Sequence, residues 1–239
     1  MNEMGWGLYV GQIARIRIRL HWLLLVWWAF ELSNWMKGVE EERAEAFGAW
    51  LLGISLMFGS ILLHELGHCF AARRVGGAAD DVLLWPLGGL AYCHVPDYWK
   101  AHLAVAAGGP LVTLAILGLS FSGFTAAEWL LGGPPPSMWY YITEFYLVKW
   151  NLYILIFNLI PLYPMDGGRI LHAAAWGFFS RARGGYAWGG QGLASRLTLR
   201  VSYVTAALLV VYGITQDKTF VIIIAVWAFF GLESLKRGD

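Results

Sequence analysis

The sequence predicts an all-α, multi-pass membrane protein with about six transmembrane helices and a small β-hairpin or strand element. Of its 239 residues, 58% are hydrophobic and only 14% are charged, whereas soluble domains are roughly 45–50% apolar and about 25% charged. Several apolar runs approach the ~20 residues that a helix needs to cross a bilayer. A soluble protein of this composition would leave much of its apolar surface in water.

Six apolar runs define the predicted helices, and their order sets the domain organisation. We expect one domain over residues 1–239, with a core at about 15–175 and accessory transmembrane helices at about 197–235. The predicted spans cover residues 20–36, 46–72, 102–119, 139–160, 197–214 and 219–235.

The basic residues predict the orientation of these helices, because Lys and Arg concentrate in cytoplasmic segments of membrane proteins. With both termini in the cytoplasm, 13 of the 17 Lys and Arg residues lie on that side. The segments 37–45, 122–138 and 216–218 are then external. The chain shows no organelle-type leader, so we expect the plasma (inner) membrane of a prokaryote.

Three shorter features complete the prediction. Residues 82–91 carry β-type side chains around Gly88 and Gly89 and predict the hairpin or strand, while the glycine-rich segment 184–192 is typical of a flexible loop. Lys149 and Glu144 lie five positions apart in the fourth run, a spacing that does not favour an ion pair.

A net charge of +1 without a basic stripe excludes a nucleic-acid surface, and the two cysteines form no metal-binding or disulfide pattern.

The HELGH segment at residues 64–68 carries the clearest chemistry. A helix places His64 and His68, four positions apart, on one face, and Glu65 lies between them in sequence. This arrangement is typical of zinc sites in which two histidines bind the metal and the glutamate acts as a general base. Ionisable groups inside a predicted transmembrane helix are costly and mark function. The alternative is a histidine pair that only hydrogen-bonds a neighbouring helix.

Zinc needs a third protein ligand, and Asp166 is the best candidate. It follows two prolines that interrupt the fourth apolar run, and it precedes Gly167 and Gly168, which permit close backbone approach. An unwound helix at membrane depth is tolerated where it lines a cavity. The alternative role for Asp166 is to cap the helix that follows it.

Together, HELGH and the segment NLIPLYPMDGGR at residues 158–169 resemble the motifs of the site-2 protease family of intramembrane zinc metalloproteases. Further similarity lies at residues 17–21, 86–89 and 108–110, so the resemblance covers about residues 15–175. Many relatives carry PDZ or CBS domains, and the chain resembles a compact six-span type without them. The roles implied by the resemblance are zinc ligands at His64, His68 and Asp166, a catalytic glutamate at Glu65, a substrate- or oxyanion-contacting Asn158, and a substrate-presenting strand at Gly88 and Gly89.

The resemblance implies that one Zn²⁺ per chain supports cleavage of a transmembrane segment by Glu65-activated water. The expected substrate is a single-pass membrane protein, such as a tethered transcription regulator, its inhibitor or a remnant signal peptide. We expect the lipid bilayer as surroundings, a site toward the cytoplasm, and no nucleic acid. Asn158 has an alternative role in an interhelical hydrogen bond.

Three competing functions are a metalloprotease whose third ligand is a downstream glutamate, a metal transporter, and an inactive pseudoprotease that binds membrane helices. The first requires a glutamate in a helical ligand motif after Glu65, and none is present in the sequence. A transporter should carry polar residues through several spans. A pseudoprotease should lack Glu65 or a metal ligand.

Overall fold

The computed structural model describes residues 7–36, 43–182 and 188–237. Its contacts divide the chain into two compact units, Met1–His94 with Leu111–Leu155 and Val95–Pro110 with Ile156–Asp239. Each unit is described by itself below, and the predicted domain organisation stays a prediction.

The first unit contains a four-stranded sheet in the order β1-β2-β3-β4. The strands are β1 (Gly7–Ile13), β2 (Ile16–His21), β3 (Ala78–Trp85) and β4 (Gly88–His94). Neighbours pair antiparallel except β2 and β3, which are parallel. The hairpin predicted around Gly88 and Gly89 is confirmed as β3–β4, whereas the two N-terminal strands were not predicted.

The alternation of apolar and charged side chains explains why β2 is a strand rather than the start of a helix. Ile16 and Ile18 are buried, while the alternating Arg17 and Arg19 project to the other face of the sheet. There Arg17 and Arg19 bind the two carboxylate oxygens of Asp81 on β3, the second at 3.1 Å. The hydrogen bond to Asp81 raises the pKa of Arg17 above its ordinary value.

Two helices of the first unit connect β2 to β3. Helix α1 spans Trp22–Met36 and α2 spans Arg43–Arg74. The first helix therefore begins two residues later than predicted, because residues 20 and 21 belong to β2. Arg73 at the end of α2 donates to the backbone carbonyls of Ala79, at 2.6 Å, and Ala14. These bonds join the C-terminal end of α2 to the N-terminal ends of both strands of the parallel pair.

The fourth apolar run is helical but irregular. It consists of α4 (Met138–Glu144), a π-helix (Phe145–Trp150) and α5 (Asn151–Leu159). Asn151 donates to the Tyr146 carbonyl and to Ser60 of α2, each at 3.0 Å. Lys149 lies 3.4 Å from Glu144, so the expectation that they would not pair is wrong, because a π-helix brings residues five apart together.

The second unit is built from the start of α3 (Trp99–Leu131) and from α6 (Asp166–Ala182), α7 (Trp188–Thr215) and α8 (Thr219–Arg237). Leu162 and Met165, before α6, pack in one buried cluster with Ala206, Ile224 and Ala228. Within α6, Gly177 faces the ring of Trp99, and the guanidinium of Arg181 lies 5.0 Å from the centroid of that ring.

Two predicted loops are wrong in part. Helix α3 continues to Leu131, so the predicted loop at 122–138 is helical over its first half, and α7 begins at Trp188, inside the predicted glycine-rich loop. A run of glycines lowers helix propensity, but packing can override it: Gly190 is buried against Ser180 and the Trp176 carbonyl. Residues 184–187 of that loop lie outside the described residues.

Among the described helices, three are long and apolar enough to cross a membrane: Ala44–Arg74, Trp99–Leu131 and Gly190–Thr215. Thr219–Leu232 is a shorter apolar helix. The fold is therefore mostly helical, with a small sheet and three candidate spans.

Candidate metal centre

The HELGH segment lies on α2, as its spacing predicts. His64, Glu65 and His68 are 3%, 8% and 5% exposed, so all three are removed from solvent within an apolar helix. The Nε2 atoms of the two histidines are 3.2 Å apart. Two ligands of a tetrahedral zinc ion with Zn–N bonds of about 2.0–2.1 Å are separated by roughly 3.3 Å. The two nitrogens therefore fit one shared metal ion.

Thr113 contacts the other ring nitrogen of His64. Its Oγ1 lies 2.8 Å from His64 Nδ1, and the threonine is fully buried on α3. This contact could not be predicted from the sequence, because a single threonine in an apolar helix forms no local pattern. A coordinating imidazole usually donates its second N–H to such an oxygen.

Gly89 brings strand β4 against the side chain of Glu65. A Cβ built on Gly89 would lie 2.8 Å from both Cδ and Oε1 of Glu65, and closer still to Cγ. Only glycine leaves room for this approach. Gly88 opens the same strand with φ +143°, a conformation that L side chains rarely adopt.

Asp166 begins helix α6 directly after an irregular turn. A Cβ on Gly167 would strike the carbonyl oxygens of Leu159 and Ile160, and one on Gly168 would strike the backbone of Tyr163. The two glycines therefore let the helix start lie against the preceding segment, as predicted. Ser202 of α7 accepts from the Tyr163 amide at 3.0 Å and supports the turn.

His64, His68 and Asp166 each offer a ligand atom, and these atoms lie within 4.8 Å of one another. All three residues are buried. Two imidazole nitrogens and one carboxylate oxygen form the ligand type found in catalytic zinc sites, where a fourth position stays open. The residues present therefore fit zinc.

Asn158 is the remaining predicted site residue. Asn158 is partly buried in the last turn of α5, and its role stays a prediction. His172 on α6 lies 3.1 Å from Ser195 of α7 through Nε2. Burial, and then the charge of His102, lower the pKa of His172, so this ring is neutral at pH 7.

Two known proteins of similar sequence are zinc metalloproteases by name. Rip3 of Mycobacterium tuberculosis, named as a zinc metalloprotease, is 32% identical over 230 residues, which cover 93% of this chain and 55% of Rip3. The zinc metalloprotease MJ0392 of Methanocaldococcus jannaschii is 29% identical over 191 residues, covering 79% of this chain and 50% of the relative. The chain thus spans about half the length of these curated relatives. Comparison with models of known protein families finds no match.

A solved structure matches nearly the whole chain. The site-2 protease from Methanocaldococcus jannaschii superimposes with a TM-score of 0.61 at 25% identity, covering 96% of this chain and 94% of the other. The chain is similar in sequence and fold to the site-2 protease family. The resemblance seen in the two motifs is confirmed. The relatives named as zinc metalloproteases, the cluster of His64, His68 and Asp166, and the three candidate spans support a zinc-dependent membrane protein. The expected absence of PDZ and CBS domains stays a prediction.

Proposed function

We propose that this site-2 protease homologue is an intramembrane zinc metalloprotease that cleaves a transmembrane segment of a single-pass membrane protein. One observation carries the proposal: His64, His68 and Asp166 offer metal ligands close together, and the buried Glu65 lies between the histidines on a helix apolar enough to cross a membrane. Buried ionisable groups at such a depth are functional by default.

The residues divide the chemistry between them. His64, His68 and Asp166 would hold one Zn²⁺ per chain, which when bound acts as a Lewis acid and lowers the pKa of a coordinated water. Glu65 accepts the proton from the attacking water and returns it to the leaving amine of the substrate. Its burial supports this role, because a carboxylate shielded from bulk water keeps the transferred proton close to the reacting bond.

Strand β4 is suited to present the substrate. A peptide bond inside a helix is hidden, so the substrate must unwind, and its exposed backbone groups then need partners. β4 is at one end of the described sheet, and added strands commonly pair with such an edge. Gly89 brings this strand beside Glu65. Asn158 would donate to the oxyanion or to the unwound backbone.

We also propose six spans with both termini in the cytoplasm of a prokaryotic cell and a site open toward that side. The parallel pairing of β2 with β3 supports the first two spans. Because α1 follows β2 and α2 precedes β3, the chain must leave and return to the same side of the membrane. The excess of Lys and Arg on this side supports its cytoplasmic location. A tethered transcription regulator, its inhibitor or a remnant signal peptide would then be the substrate.

A cleavage assay with a designed substrate tests the proposed activity. The purified chain is reconstituted in liposomes with a tagged Leu/Ala span of about 20 residues that carries a helix-breaking Asn-Pro pair at its centre. The same span without that pair is the control substrate. We expect products from the first, identified by mass spectrometry, and far fewer from the second. A wild-type chain that binds zinc but cleaves neither peptide would contradict the protease and favour the helix-binding pseudoprotease.

Two variants separate metal binding from catalysis. Glu65→Gln should keep about one zinc per chain while losing roughly 10²–10⁴-fold in cleavage rate, because only the general base is removed. Asp166→Ala should lose zinc as well as activity, because two histidines alone make a weak site. If the liposomes take up zinc and neither peptide is cleaved, the result would instead support a metal transporter.

A further inference from the structure

We propose that Thr113 is a positioning residue of the metal centre, which accepts a hydrogen bond from His64 Nδ1 and thereby directs His64 Nε2 to the metal. The inference rests on the proposed function, because it assigns a further residue to the same zinc site. Neither sequence motif contains Thr113.

The contact is short and lies in a dry environment. His64 Nδ1 and Thr113 Oγ1 are 2.8 Å apart, near the short end of the range for N–H···O bonds. His64 is 3% exposed and Thr113 is 0% exposed. The two residues lie 49 positions apart on α2 and α3, so packing rather than local sequence brings them together.

Ligation by zinc determines which ring nitrogen carries the proton. A neutral imidazole has one N–H, and the nitrogen that binds a metal must have a free lone pair. In His64 the Nε2 atom is the one that lies 3.2 Å from Nε2 of His68. The proton must then be on Nδ1, and Thr113 Oγ1 is the acceptor in contact with it.

The hydroxyl of Thr113 can itself be satisfied within α3. Threonine in a helix commonly donates to the carbonyl four residues earlier, which here belongs to Gly109. Such a donation leaves the lone pairs of Oγ1 directed toward His64. A chain of two hydrogen bonds would thus fix both the tautomer and the ring orientation of this ligand.

Valine distinguishes the hydroxyl from the shape of the side chain. Thr113→Val keeps the branched shape but removes the acceptor, so His64 Nδ1–H would lose this buried partner. Thr113→Ser keeps the hydroxyl and removes only a methyl group. Thr198→Val is the matched control, because Thr198 is also fully buried and its hydroxyl has no hydrogen-bond partner among the described residues.

The experiment measures zinc affinity by competition with a chromophoric chelator, on purified chains in detergent micelles. We expect Thr113→Val to weaken zinc binding by about 10–100-fold, the usual cost of removing a partner of a metal ligand. Thr113→Ser should restore most of the affinity, and Thr198→Val should bind zinc as the wild type does. In parallel, the visible spectrum of the Co²⁺-loaded chains should change for Thr113→Val alone, because the ligand field depends on the orientation of His64.

Each contrary result has a distinct meaning. Wild-type affinity in Thr113→Val overturns the inference and leaves the proposed function standing. Weak zinc binding in both Thr113→Val and Thr113→Ser, with circular dichroism spectra similar to that of the wild type, assigns Thr113 a packing role. This result also overturns the inference. Absence of zinc binding in the wild type overturns the inference together with the proposed function.

Discussion

Replacing Gly89 with alanine tests whether the edge of the sheet positions Glu65, the proposed general base. The new Cβ would lie 2.8 Å from Cδ and Oε1 of Glu65 and still closer to Cγ. All three atoms belong to the flexible end of a side chain. Glu65 can therefore rotate away while the backbone of β4 and α2 stays in place, so we expect the unfolding midpoint to change little.

The expected loss of activity follows from these distances. Non-bonded heavy atoms prefer separations of about 3.5–4.0 Å, so the Glu65 carboxylate must retreat by roughly 1 Å. A misplacement of about 1 Å can cost about 10²-fold in rate, which corresponds to roughly 2.7 kcal/mol of transition-state stabilisation. Zinc binding should be retained, because Glu65 is not among the proposed ligands.

The assay compares kcat/KM for the tagged span, zinc content and thermal unfolding of Gly89→Ala with the wild type. Gly59→Ala is the matched control: it makes the same substitution on α2, and a Cβ there meets no atom within 4 Å. That variant should cleave normally and gain about 0.5–1 kcal/mol of stability, since alanine is the better helix former. Normal cleavage by Gly89→Ala would refute the proposed link between β4 and the base.

Three further predictions concern the surroundings of the site. Asp81→Asn should lower the free energy of unfolding by about 1–3 kcal/mol, because two arginines of β2 lose a charged hydrogen-bond partner; an unchanged thermal midpoint would contradict it. Gly168→Ala should cost about 1–3 kcal/mol and weaken zinc binding, because its Cβ meets the Tyr163 backbone, which cannot rotate away; chelator competition and thermal melts check both effects. Burial and then His102 lower the pKa of His172, so the unfolded chain binds the proton first and stability should fall as pH drops below about 6.5. His172→Gln should reduce this loss in melts between about pH 8 and pH 5, and an unchanged slope would exclude His172 as a source.

The ligand residues could be predicted because their signals are local and chemically specific. Four-residue spacing links His64 to His68 on any helix, and the proline and glycine residues around Asp166 indicate a break in an apolar run. The structure brings these three side chains close together. Their catalytic and ligand roles stay predictions, because proximity alone does not establish chemistry.

The N-terminal strands carried a signal that the prediction did not use. Alternation of Ile16, Arg17, Ile18 and Arg19 is the period-two pattern of a half-buried strand. We interpreted the arginines as an orientation signal beside a membrane helix. In the structure Arg17 and Arg19 neutralise Asp81 on β3, which is 62 or more positions away in sequence.

Other features could not be predicted from the sequence alone. The contact of Thr113 with His64 depends on how α3 packs against α2. The π-helix at Phe145–Trp150 is followed by Asn151, whose side chain donates to the Tyr146 carbonyl within it and to Ser60 of α2. The first feature joins segments that are distant in sequence. The second is a backbone irregularity that no residue type specifies. Packing of this kind leaves no periodic signal.

The parallel pairing of β2 with β3 constrains how the protein is made. During synthesis β1 and β2 emerge first, and an isolated two-stranded hairpin is marginally stable in water. Arg17 precedes its partner Asp81 by 64 positions, and α1 and α2 lie between them. The ribosome must therefore deliver both helices before β3 can join the sheet. Gly89 reaches Glu65 only after that step, so the buried contact between β4 and the HELGH segment of α2 cannot form in a nascent chain that ends before β4.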